Sequence, residues 1–232
     1  MEDLTRLIIS DERILDVKNN NLELNNDEAH YINKVMRIKT GKDIFVANGE
    51  GALWKAKKVK NDSLKISQLQ KPYLFKQQEI YLLGIAVVIP KSGFEDILKM
   101  CTEIGIDFIQ PLFSERQVNK NINLTRKLLR WNSIIKEAVE QSERLWKPTI
   151  LNGMDIIEWI KSRDNQERVS ISITREDTSY DLNRWLIKQQ EFLNKKGAIF
   201  WNVIGPEGGW SSKEIDFFIK IIIPLLNFLT LS

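Results

Sequence analysis

The feature that most constrains this chain is a glycine-rich loop set between a strand and a capped helix near its end. The apolar, β-rich run Ala198–Ile204 suits a buried strand, and Gly205-Pro206-Glu207-Gly208-Gly209 follows it directly. Ser211 and Glu214 then have the spacing of a capping box, and Ile215, Phe217 and Phe218 supply the apolar residues of the helix beyond. Strand, loop nearly free of side chains, helix: this is how α/β proteins offer backbone N–H groups at the carboxyl ends of their strands. The same pattern also serves as a plain tight turn. No Lys-Ser/Thr pair follows the loop and the G-x-G-x-x-G spacing is absent, so it is neither a nucleotide P-loop nor a dinucleotide fingerprint.

The residues upstream of the loop repeat the alternation. Ile80–Ile89 reads as a long apolar strand, and Ser92 with Glu95 predicts a capping box for a helix that buries Phe94, Ile97, Leu98, Cys101 and Ile104 and stops at Gly105. Ile106–Leu112 is a second strand. A long helix over roughly 125–144 carries Leu128, Trp131, Ile135 and Ala138 on one stripe. Helical pieces near 154–160 and 181–194 flank a strand at 169–174. Connections this long between strands imply a parallel sheet with helices on both faces.

Residues 1–72 read differently, as a small β-rich domain with one helix. Thr5–Ile9 is a first strand, and Asn26 predicts a cap for a helix through about Lys39, ended by Gly41. Asp43–Ala47, Ala52–Lys60 and Leu64–Ser67 form a meander of short strands whose lysines are expected on a solvent face. The polar stretch from Lys71-Pro72 to Gln78 reads as a linker. The expected division is therefore 1–72 and 77–232.

Composition narrows the chemistry. Cys101 is the only cysteine and His30 the only histidine, which excludes disulfides within the chain and Cys/His zinc sites and leaves His30 as the only imidazole base. Cys101 lies on an apolar helix stripe and reads as a buried thiol rather than a nucleophile. No metal is expected. No apolar run reaches the length of a membrane span, and the opening Met1-Glu2-Asp3-Leu4 does not begin a signal peptide, so a cytoplasmic protein is expected. The net charge of +3 is carried by residues 1–76, with 14 basic side chains against 11 acidic. Residues 116–147 add a second cluster, eight basic against three acidic. Two such clusters favour a phosphate-bearing partner, although either also suits a solvated face.

A set of collinear motifs carries more. Arg6-Leu7-Ile8-Ile9, His30-Tyr31-Ile32-Asn33-Lys34-Val35-Met36-Arg37, Gly41-Lys42-Asp43 and Lys99–Gly105 are followed by Pro111–Arg116, Trp131, Glu137–Arg144 with Pro148, and Ile204–Gly209. Together, from residue 6 to about 218, they resemble the bacterial 16S rRNA uracil N-3 methyltransferases (the RsmE family of the knotted SPOUT class). The resemblance implies a small PUA-like β-barrel followed by an α/β domain with a mainly parallel sheet and a C-terminal trefoil knot. It also implies S-adenosylmethionine as methyl donor, 16S rRNA of the small subunit as substrate, and a homodimer. By the same resemblance Arg6, His30, Arg37 and Gln141 would contact RNA, and Gly205, Pro206, Glu207, Gly208 and Gly209 would hold the cofactor, with Thr174 beside them. Glu115, Arg116, Glu140 and Arg144 would carry the chemistry. Uracil N-3 must lose a proton, and either Glu140 or Glu115 suits that role; arginines suit the resulting anion. Arg37 also suits the end of its own helix, and Glu140 with Arg144 the spacing of an i, i+4 pair.

Two departures from the family stand out. Glu143 occupies a position where the family usually has Gly. The tail from Ile221 to Ser232 shows none of the family's closing segment, and Pro224 cannot donate to a strand ladder. The expectation is a weakened cofactor pocket, and the alternative to an active enzyme is an RNA-binding protein that has lost methyl transfer. A dehydrogenase is disfavoured by the missing fingerprint.

Overall fold

A computed structural model describes residues 5–117, 123–173, 182–221 and 225–227 of the chain. Two compact units are present: residues 1–78 with 136–147, and residues 79–135 with 148–232. Thr174, and the tail residues Pro224, Phe228 and Leu231 on which the expected knot turns, lie outside the described residues.

In the first unit, β1 (Arg6–Ile8) leads through α1 (Asp11–Leu15) and β2 (Asn21–Glu23) to α2 (Asn26–His30). The meander follows as β3 (Asp43–Ala47), β4 (Ala52–Lys60) and β5 (Ser63–Ile66), with β6 (Leu74–Phe75) after it. The strands form one sheet in the order β1-β3-β4-β5-β2, with β6 on β4. Alternate residues point to one side and make its core: Leu7 from β1, Ile44 and Val46 from β3, Trp54 and Ala56 from β4, Leu64 and Ile66 from β5, closed by Ile14 and Ile32.

Several local expectations are corrected here. The helix cap is Asn25, one residue early, and it forms a full capping box with Glu28. The helix is also shorter: it relaxes into a π turn over Tyr31–Val35, and Arg37 at φ +53 takes the left-handed position that ends it, ahead of Gly41. Lys58 is buried rather than solvated; its ammonium donates to Asn33 Oδ1 and to the Ile38 carbonyl at 2.6 Å, which satisfies a charge the core otherwise excludes. Within the stretch expected as a linker, Leu74 and Phe75 pair with Leu53 and Ala52.

The second unit is a parallel sheet. Its elements are β7 (Tyr81–Val88), α3 (Phe94–Ile104), β8 (Phe108–Phe113), α4 (Leu124–Gln141), β9 (Thr149–Ile150), β10 (Met154–Asp155), α5 (Ile156–Lys161) and β11 (Glu167–Ile173). They continue with α6 (Leu182–Lys188), α7 (Gln190–Leu193), β12 (Ala198–Ile204), α8 (Ser212–Lys220) and β13 (Leu225–Asn227). The strand order is β10-β8-β7-β12-β11-β13, with β9 on β8, and every pairing is parallel. Residues of α4 from Lys136 onward cluster with the first unit.

Aromatic packing sets this core. Trp201 on β12 meets Trp159 of α5 edge-on at 5.2 Å, and Gly84, its register partner on β7, is glycine because a Cβ there would stand 2.3 Å from the indole. Helix α3 does not use the predicted box: its N-cap is Gly93, left-handed at φ +81 and without a side-chain hydrogen bond. Its buried stripe is Phe94, Leu98, Cys101 and Thr102, while Ile104 is exposed. Burial pushes the Cys101 thiol up to about 11, which fits an inert structural thiol. The tail differs from expectation as well. Leu225–Asn227 joins the sheet, paired parallel to Ile171–Ile173. Among the described residues no helix is long and apolar enough to cross a membrane, and no cluster of metal-ligating side chains occurs.

Candidate active site

In the second unit, the carboxyl ends of β8 and β12 bring Glu115 and Arg116 to the glycine loop and the helix after it. Beyond Ile204, Gly205 lies under the Trp210 ring, and a Cβ there would sit 2.7 Å from the indole. Trp210 is buried, donates its Nε1–H to the Ser172 carbonyl at 3.2 Å and packs edge-on against Phe218 of α8. The loop is thereby fixed from below. Gly209 is left-handed at φ +71 and its N–H returns to the Pro206 carbonyl at 2.9 Å. Gly208 carries no such strain, and a Cβ built on it meets nothing within 4 Å. Its backbone faces open space, as close approach by a ligand requires.

Three side chains tie this loop to its neighbours. Glu207 accepts the Lys91 N–H at 2.8 Å, a bond that holds its carboxyl below the usual range. Arg116 reaches the Gly208 carbonyl at 3.4 Å. The capping box of Ser211 and Glu214 forms as predicted, with Ser211 N–H donating to Glu214 at 2.8 Å. Sequence reasoning missed a further role for Glu214. Its other carboxylate oxygen accepts the Ser114 hydroxyl at 2.8 Å and the Glu115 N–H at 3.1 Å, so one buried carboxylate clamps the exit of β8 to the start of α8. The cap spacing is visible in the sequence, but a partner 100 residues away is not. Glu115 itself is exposed and pairs loosely with Lys213 at 3.8 Å. Gln117 is buried, and its Nε2 has no hydrogen-bond partner among the described residues.

The remaining predicted residues belong to the first unit. Glu140, near the end of α4, is buried and accepts the Ile8 N–H at 2.9 Å. Burial pushes its carboxyl up to about 7, against the smaller downward pull of the Ile8 N–H and Lys136. Arg6 turns onto the segment after α4, donating to the Glu143 and Arg144 carbonyls and lying 3.4 Å from the Glu143 carboxylate. Glu143 is left-handed at φ +55, a conformation glycine adopts without cost and glutamate does not. Arg144 is half-buried, whereas His30, Arg37 and Gln141 are exposed.

Comparison with known proteins assigns the chain. Residues 77–228 match the model of an RNA methyltransferase domain, and residues 24–59 match that of an RNA methyltransferase PUA domain. The chain belongs to the RNA methyltransferase family. The match runs through residue 228, which corrects the expectation that nothing in the tail follows the family. This methyltransferase is 31% identical, over 92% of its length and 67% of the relative's, to the ribosomal RNA small subunit methyltransferase E of a Synechocystis strain. It is 25% identical to the protein of that name from Bacillus subtilis, over 82% of this chain and 75% of that one. Its fold is also that of a Neisseria gonorrhoeae ribosomal RNA small subunit methyltransferase E solved with S-adenosyl methionine: TM-score 0.78, 20% identity, 97% of this chain and 89% of that one.

Proposed function

We propose that this methyltransferase transfers a methyl group from S-adenosylmethionine to N-3 of a uridine in 16S rRNA of the small ribosomal subunit. The observation that carries the reading is the Gly208 backbone, open at its Cβ position and flanked by Arg116, at the carboxyl ends of β8 and β12. The residues present fit the cofactor: Gly205–Gly209 would hold it, with the Gly208 Cβ position open. S-adenosylmethionine, when bound, supplies an electrophilic methyl group. The protein's share is alignment and proton removal. Glu140, held near 7, is matched to accept the N-3 proton around neutrality, and Ile8 fixes its orientation. Glu115, beside the glycine loop, is the other carboxylate proposed for that role. An arginine supplies positive charge for the uracil anion, with Arg116 of the second unit and Arg144 of the first as the two candidates. The RNA-binding role of the first unit rests on exposed His30, Arg37 and Gln141, with Arg6 fixing the segment that carries Arg144. N-3 is occupied in Watson–Crick pairing, so the target is an unpaired or extruded uridine. A cytoplasmic homodimer completes the reading.

Titration calorimetry with S-adenosylmethionine and transfer of labelled methyl to small subunits lacking the modification test this. Cofactor heat and a product mapped to uracil N-3 are expected. RNA binding without cofactor heat would instead identify a binding protein that has lost transfer.

A further inference from the structure

The first unit's sheet has a second face. Register places Arg6, Phe45 and Lys55 side by side on β1, β3 and β4, and Asp43, Lys57 and Lys65 in the next row across β3, β4 and β5. These are the positions that alternate with the core residues, and Lys55, Lys57 and Lys65 are exposed. Tyr73 folds over this face: its ring stacks on Phe45 at 5.4 Å and 29°, and Lys55 Nζ lies 4.1 Å from its centroid. Tyr73 is nevertheless 58% exposed, and Leu74 and Phe75 beside it are 48% and 62% exposed. Three consecutive large apolar residues left in water, bordered by lysines, form a patch that a folded chain does not keep without use.

We propose that this face, centred on Tyr73, is a stacking platform for an unpaired segment of the RNA substrate. It rests on the reading of the chain as an rRNA methyltransferase. Single-stranded RNA is the occupant that fits, because bases offer flat apolar faces to an aromatic ring while their phosphates meet cations at its border. Phe45 and Lys55 hold the Tyr73 ring in place before a base arrives, so little side-chain freedom remains to be lost on binding. Lys55, Lys57, Lys65 and exposed Lys71 outnumber the one carboxylate of the rows, Asp43, which already pairs with Lys57 at 3.8 Å.

Anisotropy of a fluorescein-labelled oligouridylate of about ten nucleotides, titrated with the full chain at several salt concentrations, tests the platform. Tyr73→Ala should weaken binding by about tenfold or more while leaving the salt slope unchanged, because stacking releases no counterions. Tyr73→Phe keeps the ring and should bind as the parent does. Lys55→Ala with Lys65→Ala should weaken binding and flatten the slope. Parental affinity in Tyr73→Ala, or loss in Tyr73→Ala accompanied by loss in Tyr73→Phe, overturns the proposal. So does retention of oligouridylate by Tyr73→Ala with loss of binding to polyglutamate, which would assign the face to an acidic protein. S-adenosylmethionine calorimetry on the same variants separates the two readings: absent heat in the parent sinks the methyltransferase reading and leaves the RNA titrations to decide the platform.

Discussion

The Glu140 carboxylate accepts the backbone N–H of Ile8 at 2.9 Å, and the bond joins the end of α4 to the first strand within one unit. Because burial raises this carboxyl from 4.5 to about 7, it makes stability depend on pH. Below the unfolded value both states hold the proton. Between 4.5 and about 7 only the folded state does, so stability falls as pH rises through that window, and above it the loss is complete. Glu140→Gln keeps an acceptor for Ile8 and removes the titration. The variant should be more stable than the parent by about 2–3 kcal/mol at pH 8, with little difference near pH 4. Urea midpoints at the two pH values measure this; a pH-independent difference would show that Glu140 does not titrate there.

Glu143 holds φ +55, a left-handed position that glycine adopts at less cost. Glu143→Gly removes a left-handed strain of roughly 1 kcal/mol, offset in part by the extra freedom of glycine in the unfolded chain. The bond from Arg6 to the residue 143 carbonyl survives, since it is to backbone. The melting temperature should hold or rise slightly, and affinity for RNA should increase because an acidic group beside Arg6 is gone. A fall of several degrees would mean that the carboxylate contact at 3.4 Å matters more than the backbone strain.

Gly208 and Gly209 separate ligand approach from backbone strain. Gly208→Val adds a side chain to open space at an unstrained φ, so the fold should keep its melting temperature while S-adenosylmethionine affinity falls by more than tenfold. Gly209→Ala, at φ +71, should lower stability by about 1–2 kcal/mol on its own account. Normal calorimetric binding by a folded Gly208→Val protein would remove the loop from the cofactor site.

Glu214→Ala deletes one half of the capping box, the acceptor of the Ser211 N–H, and leaves Ser114 and Glu115 without theirs. A loss of about 2–4 kcal/mol is expected from those two effects combined. Glu214→Gln retains the length but weakens the charge-assisted bonds, so the chain should fold and methylate RNA with a lower kcat, because Glu115 and Arg116 are less firmly held. Unchanged turnover in a folded Glu214→Gln variant would confine Glu214 to capping.

The sequence by itself determined the parts governed by local rules. The strand before Gly205, the Ser211–Glu214 box, the stop at Gly105 and the β3–β4 turn all follow from periodicity and from backbone chemistry within a few residues, and the structure has them. So does the parallel order of the second sheet, because the long connections between its strands allow it. Where two local options competed, the sequence was less decisive: Asn25 and Asn26 are both good caps, and Ser92 lost to a left-handed Gly93. The tertiary structure alone decided the rest, because those features depend on residues far apart in the chain. Burial of the Lys58 ammonium against Asn33, the second duty of Glu214 on Ser114, and the raised carboxyl of Glu140 against Ile8 all arise from the pairing of distant segments. No periodicity marks them, since a polar side chain's solvation is set by what folds over it.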